Sequence, residues 1–285
     1  MRLVRLAGCS LALGCAAPVE EALPDAEPAP TDTAPPFTSA PPPPAFDAAG
    51  VEAEAAALLP WLPNAADVLQ DWRDQFIGVS QSCPGITAPF SIVAPFEGCR
   101  AADGRLWAGY AVYTEGTDAP LDVLLEADAT VTQVDGATFI AAGKTSLVVT
   151  AEGAFDSAVS GTWGGAGDDD WTGPGPSVAV WAVGDATSVA LTGGMSLAGG
   201  AVYLSEVAWD AETCPGATGE IAVRDPGGWW YSIHLDEDCS GCGPLTYVGE
   251  DLGRACVGLG SALEGMVTAT LAGDVTPGSD TGSPK

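Results

Sequence analysis
The stretch from residue 78 to residue 272 predicts an all-β domain, an antiparallel meander forming a sandwich, a barrel or a curled sheet, with a short N-terminal helical segment before it. Three observations carry that expectation. Apolar and polar residues alternate with the period of two that sends successive side chains to opposite faces of a strand. Glycine-containing pairs interrupt these runs at intervals of roughly 8–12 residues, the spacing of hairpin-connected strands. Glycine (37) and proline (23) make up about a fifth of the 285 residues, which favours short strands and many turns over a helical bundle.

The first expected elements are helical. Residues 51–59 read VEAEAAALL, a good helix former until Pro60 and Pro63 remove the backbone donors that would extend it. Asn64 is placed to cap a second helix reaching about Phe76. Val68, Leu69, Trp72 and Phe76 share one face of that helix, while Asp67, Asp71, Arg73 and Asp74 take the rest. The segment 50–77 is therefore expected to dock its apolar stripe on the β domain.

Strand runs follow at Leu106–Tyr113, Leu121–Ala129, Ala137–Ala141, Ser146–Thr150, Val178–Val183, Ala201–Trp209, Ile221–Val223 and Trp229–Leu235. Asp103-Gly104, Asp135-Gly136, Ala142-Gly143, Gly193-Gly194, Gly199-Gly200 and Gly227-Gly228 separate them. Asp135-Gly136, between Thr130–Val134 and Ala137–Ala141, reads as a two-residue hairpin loop in which both residues need positive φ. In Trp229–Leu235 the alternation puts Trp230, Ser232 and His234 on one face, with Trp229, Tyr231, Ile233 and Leu235 facing the core. Residues 273–285 read as a flexible tail.

The N-terminus carries an address. Residues 1–15 read MRLVRLAGCSLALGC: Arg2 and Arg5 are positive, and Leu6–Gly14 is uncharged and far shorter than the roughly 20 residues that span a bilayer. Leu6-Ala7-Gly8-Cys9 and Ala12-Leu13-Gly14-Cys15 each place a cysteine after a small residue. This segment resembles the precursor of bacterial lipoproteins, in which cleavage precedes a cysteine that carries the lipid. The resemblance implies a signal peptide at 1–14 and lipidation of Cys15. Cys9 is the alternative: its box is the more regular one, but only eight residues precede it. It also implies a lipid-anchored place in the cell envelope, at the outer membrane because Ala16 rather than Asp follows Cys15. A secreted chain without lipid is the other possibility. Residues 15–49, with ten prolines, six acids and no base from 16 onward, are expected to form a disordered linker.

Charge narrows the partners. At −29 the chain repels nucleic acid, whose binding needs clustered Lys and Arg, and it has no basic patch for anionic lipid. Membrane attachment would have to come from the lipid anchor, leaving an envelope protein or a glycan as possible further partners.

Apart from Cys9 and Cys15, six cysteines remain, an even number that reads as three disulfides in an exported chain. Cys83-Pro-Gly-Ile-Thr87 is echoed by Cys214-Pro-Gly-Ala-Thr218, and Cys99 and Cys239 each follow an acidic stretch. The echo favours Cys83–Cys99 and Cys214–Cys239, which leaves Cys242–Cys256. The rival reading makes Cys239-Ser-Gly-Cys242 a redox or zinc site. Asp236, Glu237 and Asp238 would oppose a catalytic thiolate there, and a zinc ribbon would want a second such knuckle.

No catalytic, cofactor-binding or metal residue is expected. Gly143-Lys144-Thr145 has the end of a P-loop, but Thr138 stands where the motif needs glycine. Gly164–Thr172 resembles the calcium nonapeptide of the repeat-in-toxin family, whose ions are shared between tandem copies; this chain has one copy. His234 is the only histidine, and no Gly-x-Ser-x-Gly elbow accompanies it. Of nine tryptophans, Trp163, Trp171 and Trp230 are candidates for an exposed row that stacks on sugars, the others being core. The expectation is a non-enzymatic envelope lipoprotein with a structural or interaction role. A glycan- or calcium-binding module is the alternative, and a hydrolase with an unrecognised carboxylate site the second alternative.

Overall fold
The computed structural model describes residues 41–80, 82–165, 177–197 and 200–272. Thirteen strands form one sheet in chain order: β1 (Gly85–Ala88), β2 (Ser91–Arg100), β3 (Leu106–Glu115), β4 (Leu121–Thr132), β5 (Thr138–Val149), β6 (Phe155–Gly165), β7 (Ser177–Gly184), β8 (Ser188–Leu197), β9 (Gly200–Asp210), β10 (Cys214–Arg224), β11 (Trp230–Leu235), β12 (Cys242–Tyr247) and β13 (Glu250–Cys256). Each strand pairs antiparallel with its chain neighbours, and β1 and β13 remain as edges. The fold is thus an open, curled meander, neither a sandwich nor a closed barrel.

Two expected strand breaks are bends instead. Ala142-Gly143 and Gly193-Gly194 lie inside β5 and β8. Gly143 faces Gly161 of β6, and both have positive φ (152° and 108°). A Cβ on either would sit 2.0–2.1 Å from a carbonyl oxygen of the facing strand, so only glycine lets the two backbones bend together here. The Asp135-Gly136 loop also differs from expectation. Gln133 N donates to Ala137 O at 2.7 Å, so three residues, 134–136, make the turn, and only Gly136 has positive φ. Asp135 holds the turn with its side chain, accepting from Ala137 N at 2.9 Å, the three-residue hairpin with glycine at its left-handed position.

Three helices cover one face of the sheet. α1 (Ala48–Leu58) begins earlier than expected because Asp47 caps it, accepting from Gly50 N. A 3-10 turn at Leu59–Trp61 follows. α2 (Ala65–Asp74) starts at the Asn64 cap and buries Val68, Leu69 and Trp72. α3 (Leu259–Ala272) was not anticipated; Leu259, Leu263, Met266, Val267 and Thr270 form its buried stripe. α1 lies on β9, β10 and β13, α2 on β5 and β6, and α3 on β8 and β10.

The core lies between these helices and the inner face of the sheet. Trp72 is fully buried, meets Trp107 of β3 edge-on at 6.3 Å, and donates its indole N–H to Phe90 O at 2.8 Å. Arg105, 8% exposed, fastens the end of α2. Its guanidinium donates to Gln75 O and Ile77 O, pairs with Asp103 at 2.7 Å and lies over the Trp107 ring. Those bonds satisfy carbonyls that the helix end leaves without intrahelical donors.

Candidate binding face
The six cysteines pair as Cys83–Cys99, Cys214–Cys239 and Cys242–Cys256, the same pairs the sequence echo marks. Cys239 and Cys242 therefore belong to different bridges, and neither sulfur is a free thiol for redox work or zinc. The first bridge staples β2 beside edge strand β1. The second joins the start of β10 to the loop before β12, and the third links facing residues of β12 and β13. Cys9, Cys15, the signal segment, most of the linker, Trp171, residues 166–172 of the nonapeptide and the tail lie outside the described residues.

The domain end of the linker is docked. Ala45 N and Phe46 N both donate to the Tyr231 hydroxyl, at 2.7 and 3.1 Å. That hydroxyl in turn donates to Asp225 Oδ2 at 3.2 Å. Asp225 is 3% exposed, and its other oxygen accepts from Trp229 N. Tyr247 stacks on Tyr231 at 4.8 Å and donates to Pro42 O at 2.9 Å. Residues 42–47, expected within the linker, are thus clasped by two tyrosines of β11 and β12. A depression of about 470 Å³ lies beside them, lined by Pro44–Asp47, Gly50 and Leu252.

The remaining sequence candidates fall apart chemically. Gly143-Lys144-Thr145 lies inside β5, and Lys144 pairs with Glu126 of β4 at 3.0 Å; no helix opens there to cradle phosphate. His234 is on the outer face, more than half exposed, 3.7 Å from Glu220 of β10. Among the described residues no group of three or more His, Cys, Asp or Glu side chains is placed to hold a metal ion. The depressed carboxyls have local causes. Asp185 and Asp210 are lowered by backbone amides of their own turns, at Thr187 and Thr213, and Asp238 by hydrogen bonding with Ser240. These are turn-forming carboxylates. Tyr113 differs: burial pushes its hydroxyl up to about 12, and that hydroxyl has no hydrogen-bond partner.

The tryptophan candidates need correcting. Trp163 is 4% exposed and donates its indole N–H to Ser160 O. It follows Val159 and Gly161 in the inward alternation of β6 and belongs to the core. Trp230 is exposed as expected, whereas Trp229, expected in the core, is 38% exposed because β11 begins one residue later. Among further outer-face rings that were missed are Trp181 of β7 and Tyr203 of β9, with Tyr110 of β3 exposed as well. The VAVWAV run around Trp181 is apolar at every position, so its alternation does not reveal which face is outward. Only strand register brings these rings into relation.

That register is regular. Trp181 faces Thr192 of β8; two residues further along β8, Gly194 faces Tyr203. Tyr203 faces Ala222 of β10; two residues further, Arg224 faces Trp230. Each ring is two strands and two residues from the next, in the same sense. With strands ~4.8 Å apart and a rise of ~3.4 Å per residue, the step is about 12 Å. No family model, curated protein or solved structure matches this chain, so the site stands on its own geometry.

Proposed function
We propose that this chain is an exported, lipid-anchored envelope protein whose folded domain is a non-enzymatic interaction module. The observation that carries the reading is the set of three disulfides, bonds that persist in oxidising compartments outside the cytoplasm. The lipoprotein-like start, the proline-rich linker and the tyrosine clasp on the linker's domain end fit a domain held off a membrane by a stalk. The non-enzymatic part rests on the dispersal of the ionisable groups among the described residues, since catalytic work requires an acid, a base or a nucleophile to converge on one cleft. The test is non-reducing intact-mass spectrometry of protein extracted from its native membranes. Loss of residues 1–14, acyl chains on Cys15 and no free thiol are expected. A chain that keeps residues 1–14 and six free thiols would overturn the proposal, and cleavage without acylation would overturn its anchor.

A further inference from the structure
We propose that the line Trp181–Tyr203–Trp230 on the outer face of β7–β11 is a platform for an extended, uncharged, β-linked polysaccharide; this rests on the reading of the domain as an extracytoplasmic binding module. The three rings are 53%, 46% and 42% exposed, so each keeps roughly half its surface on the sheet and half in solvent. Tyr203 lies over Gly194: its Cδ2 atom is 3.0 Å from where a Cβ on that glycine would be. The Arg224 guanidinium sits 5.8 Å from the Trp230 ring centroid, a cation–π contact that holds the ring in place.

Charge selects the ligand. The cross-strand neighbours of the three rings are Ala158, Thr192, Gly194, Ala222 and Arg224. None is a carboxylate, in a chain with 38 acidic and 9 basic residues. A cationic partner would find no carboxylate paired directly with a ring, the acids flanking the line being Glu206 beside Thr192 and Glu220 opposite Ser205, and a polyanion would be repelled by the chain as a whole. A neutral polymer rich in hydroxyls meets neither obstacle. Spacing selects further. A protein hot spot gathers its aromatics into one packed centre, whereas these are spread at about 12 Å with small residues between. A β-linked chain that flips each successive sugar presents a C–H-rich pyranose face at regular intervals, and such faces stack on aromatic rings.

Co-sedimentation of the full chain with microcrystalline cellulose and with chitin particles tests this. Pelleting with either, unchanged at high salt because stacking is not screened, is expected. Replacing one ring, Trp181→Ala or Trp230→Ala, should weaken retention on the order of tenfold, the scale of a lost hot-spot contact. Tyr203→Phe keeps the ring and should retain binding. The melting temperature of each variant separates lost binding from lost folding. Absence of pelleting with both particles overturns the proposal, as does equal retention of folded Trp181→Ala. Self-association or vesicle binding that the same substitutions abolish, without polysaccharide retention, also overturns it. None of these outcomes touches the mass-spectrometric test of export and anchoring.

Discussion
The two faces of this sheet use the same residue types in opposite ways. On the inner face aromatic rings touch: Trp72 meets Phe76, Trp107 and Phe139 at centroid distances of 5.5–6.4 Å. On the outer face Trp181, Tyr203 and Trp230 stand about 12 Å apart, the first two on small neighbours and Trp230 beside Arg224. The inner rings exclude water from one another and from the helices, so they contribute to folding. The outer rings bury only about half of their surface on folding and have a solvent-facing surface to offer. Aromatic content alone therefore says nothing about role; the pairing register does.

The sharpest way to break this contrast is at its inner side. Trp72→Ala empties the contact between α2 and the sheet and strands the Phe90 carbonyl, and it should cost about 3–5 kcal/mol in denaturant melts. A loss below about 1 kcal/mol would mean that the helices are not part of the core.

Two tyrosine-to-phenylalanine changes sharpen the comparison within buried positions. Tyr231→Phe removes a hydroxyl that accepts two backbone amides and donates to buried Asp225, and should cost about 2 kcal/mol. Tyr113→Phe removes a buried hydroxyl with no partner and should be neutral or slightly stabilising. Equal losses in the two variants would refute the assignment of the clasp.

Asp103 gives a smaller effect with a pH signature. Its hydrogen bond with Arg105 holds the carboxyl below the ordinary 3.8, so the folded state binds its proton less tightly than the unfolded chain. The resulting stability is complete above about 3.8 and is lost as pH falls through the lower folded value. Asp103→Asn should therefore cost about 0.5–1 kcal/mol near neutrality, a figure limited by solvent screening of this partly exposed pair. The difference from wild type should vanish in stronger acid. A deficit that persists or grows there would contradict the pairing.

The outer face should also lose little. Trp181→Ala is expected to cost about 1 kcal/mol, because the ring is 53% exposed and loses only its sheet-side contacts. A large loss would make Trp181 a structural residue and remove it from the proposed platform.

Much of the inner face was legible in the sequence, because burial writes itself as periodicity. The stripe Val68, Leu69, Trp72 placed α2, Asn64 marked its start, and period-two runs located most strands. The cysteine echo marked the bridges because each repeat carries its own downstream partner. α3 escaped notice since Gly260, Gly265 and two threonines dilute its stripe, leaving little amphipathic contrast. β5 was divided, and β8 passed over, because Gly143 and Gly193 look like turn residues in one dimension. Their role as bends needs the facing strand to be known. The outer line was illegible for the same reason: Trp181 and Tyr203 lie 22 positions apart in the chain and become successive rungs only when β7, β8 and β9 pair.

Oxidative footprinting of the tryptophans, read by peptide mass spectrometry with and without the polysaccharide particles, tests the division between the faces most directly. Trp181 and Trp230 should oxidise quickly in the free chain while Trp72, Trp107 and Trp163 resist, and the particles should protect the first pair alone. Rapid oxidation of the inner three, or no protection of Trp181 and Trp230 on bound particles, would contradict it.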